Sequence, residues 1–147
     1  MTTRLALAVA MSLGLALPAF SAGAATPAAS TAAQQANPFF AESPLPLHFP
    51  QFDKIKDSDF APAFDAGMAQ QLKEVEAIAN NKAKPTFDNT IIALEKSGDV
   101  LDRATTVFFS LVGADTNDTR KKLQADYSAK FAAHSDAIAL NGKLFAR

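Results

Sequence analysis

Cysteine is absent from the 147-residue chain. Without thiols the protein can form neither a disulfide framework nor a thiolate metal site, and it offers no N-terminal cysteine for attachment of a lipid. The absence excludes the class of small secreted domains that disulfides hold together. Stability must therefore come from burial of the apolar side chains, which make up 48% of the residues.

An excess of charge of either sign is also lacking. The chain has 14 Lys and Arg against 15 Asp and Glu, for a net charge of −1 at pH 7. Removal of a predicted leader, residues 1–24, takes away Arg4 alone, which leaves 13 basic and 15 acidic residues and a net charge of −2. Such a balance provides no attraction to nucleic acid or to an anionic membrane, so the sequence predicts neither partner.

The leader has the three parts of a secretory signal peptide. Arg4 supplies a positive charge, and residues 5–17 form an uncharged apolar run that is too short for a bilayer, which requires ~20 residues. Pro18 then breaks the helix, and Ala22-Gly23-Ala24 provides the small residues of a cleavage motif. We expect cleavage after Ala24 or Ala25, export to the periplasm or the medium, and a product without stable membrane insertion. An uncleaved membrane anchor is the alternative.

Two segments of contrasting composition follow the leader. Residues 25–36, ATPAASTAAQQA, have too little apolar surface to offset the entropy of ordering, which predicts a disordered spacer. Residues 37–56 combine four prolines with seven large apolar side chains. Because proline is excluded from helix interiors and biases the preceding residue towards extended conformations, we predict an extended arm.

The rest of the chain, residues 57–147, shows the three-to-four-residue spacing of amphipathic helices. The four apolar stripes are Phe60, Phe64, Met68, Leu72 and Val75; Ile91, Ile92 and Leu94; Leu101, Ala104, Val107, Phe108 and Leu111; and Leu123, Tyr127, Phe131 and Ile138. Asp57 or Ser58 is expected to cap the first helix, and Thr116 or Asn117 the fourth. The sequence predicts an all-α module of about four helices, which is incomplete because Leu144 and Phe145 begin a further element.

Candidate chemical groups are few. The chain has two histidines, His48 and His134, and lacks the His-Glu-x-x-His helix that brings two imidazoles and a general-base glutamate to zinc. A lone imidazole cannot hold zinc, so we interpret His134 as an ordinary helix-face histidine and His48 as an ordinary histidine of the arm. No glycine-rich phosphate loop or nucleophile elbow is present. The residues themselves therefore predict no catalytic and no metal-binding position.

A weak echo of a calcium-binding loop occurs between the third and fourth stripes. Asp115, Asn117, Thr119 and Asp126 stand at the first, third, fifth and twelfth positions of such a loop. However, Arg120 occupies the position that requires glycine, and an aspartate replaces the bidentate glutamate. Helix capping explains the same residues, so we predict no calcium site.

Six segments in a fixed order carry a resemblance to a known family. They are NPFFAESPLP, FDKIKDSDFAPAF, QQLKEVEAIANN, PTFDNTIIALEKSGDVLDR, VFFSLVGADTN and AAHSDAIALNGKLF. Over residues 37–147 the chain resembles the N-terminal region of the zinc oligopeptidases of the thimet oligopeptidase family, and most of all the bacterial peptidyl-dipeptidases.

The resemblance implies a larger all-helical metallopeptidase with zinc as the cofactor of the full-length protein and short peptides as substrates. The family's zinc ligands lie in a later region that has no counterpart here, so no catalytic or metal residue is assigned and this chain alone is expected to be inactive. The resemblance also implies that the arm packs on the helical body and buries Phe39, Leu45, Phe49 and Phe52.

Two hypotheses of different class follow. In the first, the chain is an N-terminal piece of an exported zinc peptidyl-dipeptidase that removes dipeptides from the C-termini of short peptides. In the second, it is a free-standing exported helical binding or scaffold protein without catalytic activity. The two differ in whether the reading frame continues beyond Arg147.

Overall fold

The computed structural model describes residues 37–147. The predicted signal peptide, the cleavage positions Ala24 and Ala25 and the spacer lie outside the described residues. Within 37–147 the secondary structure is helical and contains no strand, which confirms the all-α prediction for this part of the chain. None of the helices formed by these residues is long and apolar enough to cross a membrane.

Three long helices and two short ones make up the module. Their bounds are α1, Asp57–Ala79; α2, a π-helical turn at Asp88–Ile92 that continues into Ala93–Glu95; α3, Asp99–Ala114; α4, Asp118–Ala139; and α5, Gly142–Ala146. The helix boundaries follow the predicted stripes, and α5 is the further element that Leu144 and Phe145 begin.

The observed helix caps agree in part with those predicted from the sequence. Asn117 caps α4, as one of the two expected residues, because its side-chain oxygen accepts a hydrogen bond of 2.8 Å from the Arg120 N–H. For α1 the expected cap at Asp57 or Ser58 is wrong by one or two positions. Lys56 occupies the cap, and the Asp59 carboxylate accepts a 2.8 Å hydrogen bond from its backbone N–H. A lysine has no acceptor, so the acid three residues later supplies the capping group.

The core is aromatic and forms where α1, α3 and α4 meet. Phe64 is its centre: the ring centroid lies 5.2 Å from Phe108, 5.1 Å from Tyr127 and 5.0 Å from Phe131, in edge-to-face arrangements. Such pairs contribute about 0.5–1.5 kcal/mol each beyond the burial of their surface. Phe60, one turn before Phe64 on α1, extends the cluster to the arm.

One glycine allows α1 and α3 to approach closely. A Cβ on Gly67 of α1 would lie 2.8 Å from the backbone nitrogen of Leu101 on α3 and 2.9 Å from its Cα. Real side chains do not tolerate contacts this short with backbone atoms. The absence of a side chain at Gly67 therefore sets the distance between the two helices that hold most of the core.

The arm is not continuously extended. Its prolines begin two 3₁₀ turns, Pro38–Phe40 and Pro46–His48, since proline at the first position of a helical turn loses no hydrogen bond. The second turn is closed by Ser43, whose hydroxyl donates to the Phe49 carbonyl over 2.6 Å. The prediction of an extended arm is therefore wrong at these turns.

Burial of the arm is also uneven. Phe39 is buried, with its ring centroid 5.2 Å from that of Phe60, and its carbonyl accepts hydrogen bonds from Arg103 of α3. By contrast Leu45, Phe49 and Phe52 are exposed, with Phe49 at 60%. The expected burial therefore holds for Phe39 and fails for the other three within this chain.

Candidate functional site

His134 lines a groove between two of the long helices. The groove encloses about 500 Å³ between α3 and α4, above α1, and is lined by Gln71, Gly98, Leu101, Asp102, Thr105, Thr106, Phe109, Phe131 and His134. His134 itself is 9% exposed. The sequence interpretation placed this residue on an ordinary helix face, whereas the structure buries it.

A chain of hydrogen bonds joins His134 to the turn that precedes α3. The Gln71 amide nitrogen donates to the Ser97 carbonyl over 3.3 Å, which turns its oxygen towards the imidazole. That oxygen lies 2.7 Å from Nε2 of His134. Because an amide oxygen can only accept, Nε2 must carry the proton of the neutral ring and Nδ1 is an acceptor. Three segments of the fold meet through this one imidazole.

The environment of His134 favours the neutral ring. Burial lowers the pKa of His134 below its ordinary value of 6.5, because the charged imidazolium loses its hydration. Nδ1 is fully buried and has no hydrogen-bond partner. A proton added there would be a buried donor without an acceptor, which is costly. At neutral pH the ring is therefore an uncharged hydrogen-bond donor to Gln71.

Gly98 shapes the same site. It adopts a left-handed backbone with φ of +84°, and a Cβ there would lie 2.5 Å from the Gln71 amide. Its N–H donates to the Glu74 carboxylate over 2.8 Å. The glycine thus permits the turn that presents the Ser97 carbonyl to Gln71.

Sequence reasoning missed Gln71 as the partner of His134. One signal was available, because His134 follows Tyr127 by seven residues, or two helical turns, and the two share a helix face. They are the two buried residues of α4. The identity of the partner was not accessible, because Gln71 lies 63 positions earlier in the chain.

His48 and His134 take part in no metal group. The Nδ1 atom of His48 lies 3.2 Å from the Ser43 carbonyl and 4.0 Å from the Glu42 carboxylate, in the exposed arm. Among residues 37–147 no cluster of three or more His, Cys, Asp or Glu side chains could hold a metal ion. The described residues therefore do not fit the zinc that the family resemblance implies.

The residues of the calcium-loop echo have structural contacts. Asn117 caps α4 and donates to Asp57 over 2.7 Å. Arg120, whose side chain is largely buried, bonds the Asp57 carboxylate at 2.7 Å and the Asp115 carbonyl. Asp126 pairs with Lys122 one turn away. These contacts join the α3–α4 turn to the start of α1, as the capping interpretation requires.

A second groove, of about 510 Å³, is apolar and lies between α2 and α5. It is lined by Pro85, Thr86, Phe87, Thr90, Ile91, Leu94, Leu144, Phe145 and Arg147. Phe145 is 91% exposed, and Phe87 and Ile91 are also exposed. Arg147 holds the two segments together, because its guanidinium donates to the carbonyls of Asn81 and Ala83 and to the side chain of Asn89.

The chain is similar to two curated enzymes. It is 50% identical over 111 residues to the dipeptidyl carboxypeptidase of Salmonella typhimurium and 49% identical over 111 residues to the dipeptidyl carboxypeptidase of Escherichia coli. Each match covers 76% of this chain but only 16% of the relative. No family model matches the sequence. The similarity therefore relates this module to a small part of two peptidases several times its length.

Proposed function

We propose that the chain is the N-terminal module of an exported, zinc-dependent dipeptidyl carboxypeptidase that releases dipeptides from the C-termini of short peptides. The observation that carries the proposal is the 50% identity over 111 residues to enzymes of that name. Identity of that level over the length of a domain is accompanied by a shared fold. In this proposal the module contributes structure, and catalysis resides in the remainder of the longer enzyme.

The distribution of apolar surface supports a module that belongs to a larger body. Phe145 is almost fully exposed, and Phe87 and Ile91 of the same groove between α2 and α5 are exposed as well. Large apolar side chains grouped on a surface are characteristic of contact faces rather than of isolated monomers. The relatives are about six times longer than the match, which leaves ample chain to cover these side chains.

The chemistry of the described residues agrees with this division. The one buried imidazole is hydrogen-bonded to an amide rather than placed beside carboxylates. Because these residues do not fit zinc, we assign them no catalytic step. Zinc in the proposed full-length enzyme would have to be held by ligands from outside this module, where it would serve to polarise the attacking water.

A chimera tests the proposal. The matched 111 residues of the Escherichia coli enzyme are replaced by those of this chain, and release of C-terminal dipeptides is measured with a blocked peptide. We expect activity within about tenfold of the parent enzyme, because a module of the same fold restores the same packing. The isolated 147-residue chain should release no dipeptide, with or without added zinc.

The control is the same chimera carrying Phe64→Ala, which breaks the core of the module. It should lose activity or soluble expression if the module must fold on the enzyme. A chimera that is soluble and folded but inert would contradict the proposal. That result, together with a stop codon directly after Arg147, would favour the free-standing helical scaffold.

A further inference from the structure

The C-terminal end of α4, residues 132–139, is attached to the rest of the module at few points. Of the 22 residues of α4, Tyr127 and His134 are the buried ones. Tyr127 is fixed in the aromatic core, and its hydroxyl donates to the Ala61 carbonyl over 3.2 Å. Phe131, one turn further, packs its ring 5.0 Å from that of Phe64. Beyond Phe131 the helix runs beside the open His134 groove, and the imidazole is the buried attachment of the last two turns of α4.

This attachment depends on one protonation state. Nε2 donates to Gln71, and Nδ1 is buried without a partner. Protonation of Nδ1 would place a charge and an unsatisfied donor inside the module at once, and neither is tolerated in a buried site. Moving the ring to water avoids both costs, and this movement breaks the hydrogen bond that ties α4 to Gln71.

We propose that His134 is an acid-sensitive latch, which holds the last two turns of α4 on α1 when neutral and releases them when the ring is protonated. Release widens the groove between α3 and α4 while Tyr127 and Phe131 keep the earlier part of the helix in place. The chain after α4 stays attached, because Lys143 donates to Asn80 over 3.0 Å and Arg147 to the loop before α2. The opening is therefore local.

Charged groups lie on each of the helices around the latch. Glu74 of α1 is bonded to the Gly98 N–H, and Asp102 of α3 lines the groove. On α4 itself, Lys130 precedes His134 by one turn and pairs with Asp65. When the latch opens, the imidazolium gains water, which stabilises the charged ring. The open state is thus the one that binds the proton.

The coupling between protonation of His134 and opening of the latch gives the sign and the size of the pH effect. Burial lowers the pKa of His134 in the closed state, and the open state has an ordinary histidine. Closure is therefore fully favoured above about pH 6.5 and weakens as the pH falls below that value. The opening equilibrium should rise up to about tenfold for each unit that separates the pKa values of the two states.

The experiment uses the two histidines of the 147-residue chain as probe and internal reference. Their imidazole resonances are titrated by NMR, and amide hydrogen exchange is measured at about pH 7.5 and about pH 5, a range that spans ordinary histidine titration, after correction for the intrinsic pH dependence. We expect residues 132–139 to exchange severalfold faster at the lower pH, with residues 118–131 and α1 unchanged. The His134 resonance should titrate below the ordinary histidine value of 6.5.

His134→Gln and His48→Gln form the matched pair of variants. Gln can still donate to Gln71 but cannot titrate, so H134Q should lose the acid response of residues 132–139, whereas H48Q should retain it. An equal acid response in H134Q, or exchange at 132–139 that does not change while His134 titrates in the unaltered chain, would overturn the latch. If H134Q fails to fold, the second of these outcomes still decides.

Discussion

The core of this module and two of its peripheral segments treat the same kind of side chain in opposite ways. At the junction of α1, α3 and α4, the rings of Phe60, Phe64 and Phe108 are fully buried. On the arm and at α5, Phe49 and Phe145 are 60% and 91% exposed. Phenylalanine has the same hydropathy in all these places, so the difference lies in the supply of opposing surface. The core packs against itself, whereas the arm and α5 each leave apolar surface available for contact.

The largest loss of stability is expected from a change at the centre of the aromatic core. Phe64→Ala removes a ring that contacts three other aromatic side chains and should reduce the free energy of unfolding by about 3–5 kcal/mol. Phe49→Ala is the matched control, with an expected change within about 0.5 kcal/mol. Urea unfolding followed by circular dichroism measures both. Equal losses of stability in the two variants would contradict the distinction between the buried core and the exposed arm.

The contact between α1 and α3 gives the next prediction. Gly67→Ala forces a Cβ against the backbone of Leu101 and should destabilise by about 1–3 kcal/mol. Gly113→Ala is the control, because its Cβ meets no atom within 4 Å, and it should be neutral or stabilising by up to about 0.5–1 kcal/mol. Thermal unfolding of both variants distinguishes steric contact from a general effect of replacing glycine. A neutral Gly67→Ala would show that the helices lie further apart.

The buried hydroxyl of Tyr127 gives the next prediction. Tyr127→Phe keeps the ring packing and loses the hydrogen bond to the Ala61 carbonyl, which should cost about 1 kcal/mol. Burial raises the pKa of Tyr127 to about 12, with the Asp65 carboxylate adding to the effect. The folded state therefore retains the proton longer than the unfolded state, so stability should be lost as the pH rises from about 10 towards 12.

Tyr127 is the only tyrosine and the chain has no tryptophan, so absorbance in an alkaline titration reports this one phenol. The Tyr127→Phe variant, which lacks the phenol, is the blank. A midpoint near the ordinary value of about 10 would contradict burial of the hydroxyl.

The smallest effect is expected in the arm. Phe49 and Phe52 contact each other, with ring centroids 5.8 Å apart, but both are exposed. Replacing both by serine should leave the melting temperature of the isolated chain nearly unchanged and should lower its binding of a hydrophobic dye. A drop of several degrees in the melting temperature would show that the arm is packed in solution.

The sequence predicted the regular part of the fold because helical periodicity is a local property. The stripes located every helix, and Asn117 was identified as a cap from its own residue type and position. The arm was less predictable, because proline excludes interior helix but also starts 3₁₀ turns, and only the Ser43 hydrogen bond distinguishes these outcomes. Burial of Leu45, Phe49 and Phe52 was expected from the resemblance to a longer protein, and this chain alone does not provide the surface.

The His134 site could be predicted from the sequence only in part. Its buried position could be inferred from the spacing to Tyr127, but the hydrogen bond to Gln71 joins residues that are 63 positions apart. No pattern in one sequence specifies such a pair. The role of Gly98 depends in turn on where the Gln71 amide lies, so this part of the site becomes visible only after the helices are packed.

The central claim is that the exposed apolar groove between α2 and α5 is a contact face of the proposed longer enzyme. Because the chain has no cysteine, Phe145→Cys places a single thiol on that face, and Lys121→Cys places one on the polar surface of α4. Thiol labelling of each position is followed by peptide mass spectrometry in the isolated chain and in the active chimera. The account predicts that labelling at position 145 slows at least about tenfold in the chimera relative to position 121. Equal labelling at position 145 in both proteins would contradict it.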